Sequence, residues 1–277
     1  MPVKTLDAPA RFDPEFITEA DLTDLATFTG MGPVECLERL RSYSMNEMAR
    51  AWEDANPSSP DEIMGFYRST DLYIWELMQW HASAARAAYW DALHTFVESH
   101  PPSRGFRRVY DFGCGVGTEA LFLGERGYDV TAVDVDGLTF DFARHRLARR
   151  GMNTNFVTST SEIPEPRGVF DAAVCFDVFE HLSDPLGAVG ALVQSLRSGG
   201  MLLQQATFNN YGVHPCHLDH CIERFSGLRW HIYLAGLGLK SEGPLGYVKC
   251  SGVMRRIQRA RYELWRATGL WLIEVER

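Results

Sequence analysis

Two short stretches of this chain concentrate residue types that do chemistry. Asp177-Val178-Phe179-Glu180-His181 sets two carboxylates and an imidazole in one run. Downstream, Asn209, Asn210, His214, Cys216, His217, Asp219, His220 and Cys221 crowd a second segment. Such groups act as general acids and bases, or as ligands of a divalent ion. Hard oxygens from Asp177 and Glu180 favour magnesium, whereas imidazoles from His181 and one of His214, His217 or His220 suit zinc, iron or manganese better. His181 is a candidate base with or without a metal. Cys216, His217 and Cys221 taken alone lack the second ligand pair that a zinc knuckle needs.

A third stretch binds rather than reacts. In Asp111-Phe112-Gly113-Cys114-Gly115-Val116-Gly117 three glycines alternate just after an apolar run, so a ligand can reach main-chain N–H groups with no Cβ in the way. The next apolar run ends in Asp134, whose carboxylate can take both hydroxyls of a ribose. Gly115 to Ala120 formally satisfies the dinucleotide pattern G-x-G-x-x-A, so an NAD(P)-dependent oxidoreductase is one reading. Gly113 and Asp111 have no place in that pattern.

Hydrophobic periodicity supplies the elements that must position these groups. Residues 21–28, 33–43 and 45–54 read as short amphipathic helices, broken by Gly30, Gly32 and a turn cluster from Asn56 to Pro60. A longer helical pattern runs from Ser69 to about Glu98. Strands are expected at 107–112, 129–135, 155–158, 169–177 and 201–208, with helices at 118–126, 138–150 and 184–197, the last capped by Ser183. That alternation requires a doubly wound α/β domain with a parallel sheet. The tail reads as a helix at 225–237, a strand at 239–242, an arginine-rich helix at 251–267 and a final strand at 269–275. The domain division falls at 103/104, with a helical N-terminal cap over 1–103 and the α/β domain over 104–277.

The segment from Asp111 to Gly117 resembles motif I of the class I S-adenosylmethionine-dependent methyltransferases. Asp134 matches their ribose-binding acid, Val135 the residue that packs on adenine, and Phe170 to His181 their fourth-strand motif. The resemblance covers roughly 104–277. It implies a Rossmann-like seven-stranded sheet whose last strand is antiparallel, a place that 269–275 would fill. It also implies a cofactor site of Asp111, Gly113, Cys114, Gly115, Gly117, Asp134, Val135 and Asp177, with the adenine contact falling on Thr160, Ser161 or Glu162. Asp177 to His181 is similar to the metal-binding acid-x-x-Glu-His of ubiquinone-pathway O-methyltransferases and small-RNA 2'-O-methyltransferases. That likeness implies a metal set drawn from Asp177, Glu180, His181, His217 and His220, with an oxygen acceptor. In other members an equivalent Glu-His pair holds no metal, its Glu capping a helix and its His packing under the cofactor.

Methyl transfer from a sulfonium needs no acid for the leaving group, so positioning supplies most of the rate and catalytic residues are few. His181, Asp177, Glu180 and His217 are the candidates nearest the acceptor. Tyr67, Tyr73 and His81 are candidate acceptor contacts in a partly aromatic pocket, which suits a small organic molecule such as a secondary metabolite. Most aromatics nearby, Trp75, Trp80 and Trp90 among them, are expected to glue the helical layer to the sheet. A cyclisation or elimination at the sulfonium would use the same fold and cofactor.

Composition bounds the rest. The 277 residues carry 27 Lys plus Arg and 36 Asp plus Glu, a net charge of -9, which disfavours nucleic acid. Residues 1–100 hold 7 basic and 17 acidic side chains and residues 101–277 hold 20 and 19, so the acidity belongs to the cap. No apolar run is long enough to span a bilayer, the start does not read as a signal peptide, and six scattered cysteines suit a reducing, cytoplasmic compartment. The arginines of 251–267 circle their helix as a solvated face, and the same helix could meet the acidic cap within one chain or across a homodimer.

Overall fold

The structure is a computed structural model, and it describes residues 12–159, 167–208, 214–243 and 245–268. The N-terminal layer runs through α1 (Glu19–Thr29), α2 (Pro33–Ser42), α3 (Met45–Ala55), α4 (Pro60–Ser69), α5 (Leu72–His81) and α6 (Ala87–Ser99). Local chemistry sets these limits. Thr18 and Asp21 form a capping box at the start of α1, Ser59 and Glu62 another around Pro60 of α4, and Gly30 and Asn56 end α1 and α3 in the left-handed conformation. The expected single helix from 69 to 98 is instead two, α5 and α6, parted at Ala82 to Arg86. Here the chain turns extended at Ser83, which pairs with Phe12, so that Arg86 can point inward and meet the buried Glu119. An ion pair that no helical period encodes overrides the period.

The α/β half follows as β1 (Arg108–Phe112), α7 (Thr118–Gly124), β2 (Asp129–Asp134), α8 (Leu138–Arg149), β3 (Asn155–Thr158), β4 (Phe170–Phe176), α9 (Pro185–Ser195) and β5 (Leu196–Gln205). The tail adds α10 (Asp219–Phe225), α11 (Arg229–Gly236), β6 (Leu239–Ser241), β7 (Gly246–Lys249) and α12 (Gly252–Thr268). One seven-stranded sheet has the order β3-β2-β1-β4-β5-β7-β6, parallel from β3 to β5, with β7 antiparallel to both its neighbours. The expected antiparallel strand at 269–275 lies outside the described residues, and its place is taken by β7. This four-residue strand returns from β6 through a turn with Gly243 and Leu245 at positive φ, a hairpin too short to stand out by alternation. The expected helix at 225–237 starts later, as α11 after Gly227 at positive φ, and α10 ahead of it was not anticipated. Asp184 rather than Ser183 caps α9, accepting from the Gly187 N–H at 2.9 Å.

Both faces of the sheet are covered. α6, α7 and α8 bury Leu93, Phe96, Leu121, Leu123, Phe140 and Leu147 against one, and α9 to α11 bury Val189, Leu192, Phe225, Trp230 and Leu234 against the other. β4 is buried along its whole length, as a central parallel strand must be. α6, although N-terminal to residue 103, packs as part of the sheet layer. The helices before it form a separate core around Leu25, Leu40, Ile74, Trp75 and Met78, which rests on Val116 and Phe142.

Charge joins the two cores. Asp21 and Asp24 of α1 meet Arg146, Arg149 and Arg150 on and just after α8, with Asp24 accepting from Arg149 Nε and Arg150 Nε at 2.9 Å and Asp21 from Arg146 and Arg150 at 2.8 and 2.9 Å. The acidity of the cap is thus partly spent on its own anchor. The arginines of α12 are largely solvated, with Arg255, Arg256, Arg259 and Arg266 exposed. No described helix is long and apolar enough to cross a membrane.

Candidate active site

The glycine loop sits between β1 and α7, at the C-terminal edge where strand order reverses between β1 and β4. Ligands bind there in open α/β sheets. Gly113 and Gly115 have φ of +70° and +52°. A Cβ on Gly113 would fall 2.3 Å from Val178 and one on Gly115 2.6 Å from Leu77, so both left-handed φ and close approach demand glycine. Asp134 receives the Gly115 N–H on one carboxylate oxygen and the Val135 N–H on the other, each at 2.7 Å. Burial lifts its pKa to about 6 against those two donors. Gly113, Cys114, Gly115, Asp134 and Val135 all line the central cavity. Asp111 and Gly117 do not. Asp111 is buried behind the loop, where desolvation and then the Glu119 and Asp134 charges push its pKa well up. Gly117 instead starts α7, packed against Leu147. Thr160, Ser161 and Glu162, the expected adenine contacts, lie outside the described residues.

Asp177 has φ +55°, and this left-handed residue turns the end of β4 toward α5 and α6. Its carboxylate accepts from Tyr89 Oη at 2.7 Å and Trp80 Nε1 at 3.3 Å. Arg86 lies 3.8 Å away, stacked over the Tyr89 ring and paired with Glu119. Sequence reasoning missed this surround, because Trp80, Arg86, Tyr89 and Glu119 read as ordinary helix residues.

The imidazoles gather on the opposite wall. The one-turn helix from Phe179 to His181 presents His181, and the segment after β5 presents His214 and His217. One ring nitrogen from each lies within 4.8 Å of those of the other two. The rings of His214 and His217 stack at 4.9 Å, and His181 stands edge-on to both. Burial holds His181 well below the usual histidine range, with His214 and His217 adding to it; burial and then His214 take His217 to about 3. For His214 burial is outweighed by Glu76, which bonds Nε2 at 2.8 Å and lifts the pKa to about 10. Glu76 was not anticipated, although a single acid in the apolar α5 sequence LYIWELMQWH was a signal.

Asp177, Glu180 and His220, expected to share a metal with His181, stand outside this group. Asp177 is held by Tyr89 and Trp80. Glu180 is fully buried and accepts from the Thr207 N–H at 2.7 Å, while its own backbone carbonyl accepts from Leu218, so it ties the His181 turn to the segment after β5. His220 rides on α10 and faces the Ser183 carbonyl at 3.3 Å.

A cavity of about 1260 Å³ joins the glycine loop to the histidines. Tyr67, Tyr73 and His81 line it, as do Trp80, Asp177, Glu180, His181, His214 and His217. Tyr67 Oη is 3.2 Å from His181 Nδ1, and Tyr73 stacks on His214. His81 bonds Thr118 Oγ1 at 2.7 Å, so part of its polarity is already committed. Trp75 and Trp90, by contrast, pack in the cap and sheet cores.

Comparison with known proteins bears on this site. Residues 110–204 match the family model described as a methyltransferase domain, a match that ends before His214 and His217. The ubiquinone biosynthesis O-methyltransferase of Pectobacterium carotovorum subsp. carotovorum is 29% identical over 140 residues, covering 45% of this chain and 58% of that protein. Glycine N-methyltransferase of Oryctolagus cuniculus is 29% identical over 149 residues, covering 47% and 49%. The chain spans about half the length of the curated relatives it matches. Similar solved structures include a SAM-dependent methyltransferase from Aquifex aeolicus (19% identity, 60% of this chain and 92% of that one, TM-score 0.45). Another is the [4+2]-cyclase SpnF (21% identity, 58% and 60%, TM-score 0.43).

Proposed function

We propose that the chain is a class I S-adenosylmethionine-dependent methyltransferase that transfers the cofactor's methyl group to an oxygen of a small organic molecule, a reading supported by the methyltransferase-domain match over residues 110–204. The observation that carries this reading is the continuity of one cavity from the glycine loop and Asp134 to an aromatic and histidine-lined chamber. The residues fit the cofactor, since Gly113, Cys114 and Gly115 line the cavity beside Asp134, and Asp134 keeps lone pairs free for a ribose. S-adenosylmethionine, when bound, supplies an electrophilic methyl carbon on a sulfonium whose departure needs no proton.

The chain's own residues then have simple tasks. Asp134 accepts the ribose hydroxyls, Val135 flanks the base, and the Gly113 to Gly115 backbone lets the cofactor lie against the sheet edge. Trp80 and the Asp177 carboxylate, whose charge Arg86 at 3.8 Å partly offsets, form the cavity wall beside the cofactor's sulfonium. Tyr67 and Tyr73 give an apolar acceptor ring a surface to stack on, and His181, whose neutral form is favoured, can accept a hydrogen bond from the acceptor's hydroxyl and orient it. Alignment of the acceptor with the methyl group contributes about 7–11 kcal/mol in favourable cases.

The test is denaturing mass spectrometry of the purified protein for retained S-adenosylmethionine or S-adenosylhomocysteine, followed by incubation with labelled cofactor and a panel of phenols, catechols and hydroxy acids. Label is expected in a phenol or catechol product. Saturable binding of NADH in place of S-adenosylhomocysteine would overturn the reading, and a rearranged product formed without methyl loss would replace methyl transfer by a cyclisation.

A further inference from the structure

Two of the three histidines, His181 and His214, carry a hydrogen bond on one ring nitrogen of the kind that orients metal ligands. Ligating imidazoles almost always give their second ring nitrogen to a carboxylate or a backbone carbonyl, which fixes the tautomer and aims the free lone pair. His214 Nε2 faces Glu76 at 2.8 Å, and Nδ1, the nitrogen that would ligate, accepts from the Cys216 N–H at 3.3 Å, a long bond that an ion would displace. His181 Nδ1 faces the Cys216 carbonyl at 3.2 Å, which leaves Nε2. His217 stacks on His214 within the same group. Tetrahedral coordination at zinc–nitrogen distances of about 2.0–2.1 Å needs nitrogens about 3.3 Å apart, so a group spanning 4.8 Å closes with small ring rotations.

We propose that His181, His214 and His217 bind one zinc-class divalent ion, with Glu76 as the carboxylate that orients His214, and that the open fourth position takes the acceptor's oxygen. Three imidazoles with no carboxylate in the ligand set select a borderline transition metal over magnesium. Three protein ligands at a cavity wall are the pattern of a catalytic zinc site, in contrast to the closed four-ligand pattern of a structural one. Loading displaces the Cys216 N–H from His214 Nδ1. On coordination the acceptor hydroxyl releases its proton to water. Its oxygen then attacks the methyl carbon, and the O–C bond forms as the C–S bond breaks, its electron pair remaining on a neutral thioether. The acceptor clause rests on the methyl-transfer reading; the metal site does not.

The experiment uses tag-free full-length protein stripped with chelator and titrated with Zn2+, Co2+ and Mg2+. The expected result is one Zn2+ per chain, the intense visible bands of four-coordinate Co2+, and no competition from Mg2+. His181→Ala and His217→Ala are expected to weaken Zn2+ binding at least about 100-fold and Glu76→Gln about 10–100-fold. His220→Ala is expected to leave it unchanged. S-adenosylhomocysteine affinity, measured on every variant, reports that the fold survives. No stoichiometric Zn2+, equal competition by Mg2+, or wild-type affinity in His217→Ala would overturn the site. Zn2+ binding without S-adenosylhomocysteine binding would sink the methyl-transfer reading and leave the site standing. Catechol added to the Co2+ protein is expected to shift the bands, and unshifted bands would overturn the acceptor clause.

Discussion

Asp134 shows how one carboxylate can be tuned by its neighbours. Burial raises its pKa to about 6 from the ordinary 3.8, although two backbone N–H groups already favour the charged form. A raised folded-state pKa means the folded protein holds this proton more tightly than the unfolded chain does. The group's contribution to stability is therefore present below about pH 3.8 and is lost as pH rises through 6. Ligand binding has the opposite sign, because ribose hydroxyls donate to the ionised form. S-adenosylhomocysteine affinity is expected to be level above pH 7 and to fall below pH 6, approaching about tenfold per pH unit. Calorimetric titration between pH 5 and 8 checks this, and Asp134→Asn should bind weakly with a flat profile. This residue was legible because an acid ending the second strand of a nucleotide-binding unit is a local pattern. Glu76 was not, since its partner His214 lies 138 positions away and only the fold brings them together.

Among the elements, α1 and α8 make the most direct test of how the cap is held. Asp24 is fully buried and faces Arg149 and Arg150, with Arg146 at 3.7 Å. Removing one partner of a buried pair strands the others, at a cost of about 3–5 kcal/mol; half-exposed Arg149 can turn to water and lower that figure. Asp24→Asn is expected to destabilise by about 2–3 kcal/mol in urea denaturation, within the reach of one broken buried pair. A loss below about 0.5 kcal/mol would show that the cap is held by its apolar core alone. Strands β1 to β5 and their helices were readable from the sequence because apolar runs, caps and glycines are local signals. The break between α5 and α6 was not, since its cause is Arg86 reaching Glu119, and β7 was missed because four residues carry almost no period.

At the scale of the whole molecule, the charge division in the sequence becomes a division of labour. The acidic layer supplies Asp21 and Asp24 to fasten itself, and Tyr67, Tyr73, Glu76 and Trp80 to furnish the cavity. The family match covers 110–204, and the helices before it and the histidines His214 and His217 after it stand outside that match. The sheet could be anticipated from sequence because its pattern is repeated and local. Of the chamber, Tyr67, Tyr73, His81, His181 and His217 were named from the sequence, whereas Glu76 and Arg86 were not, because their partners come from distant segments that meet only in the fold.

Thr118 gives that closure a thermodynamic consequence. Its hydroxyl, one residue beyond Gly117, is shared by His81 of α5 at 2.7 Å and Arg146 at 2.9 Å, and Arg146 in turn holds Asp21 of α1 and the Val116 carbonyl. A ligand that steadies the glycine loop therefore lowers the opening rate of α1, none of whose residues lines the cavity, as well as that of α5. Deuterium uptake in α1 and α5 is expected to slow at least about tenfold when S-adenosylhomocysteine binds, while α12 exchanges as before. Unchanged uptake in α1 would mean that loop and cap open independently. If they open together, the ligand's residence time is set by the unlatching of an arginine cluster remote from it.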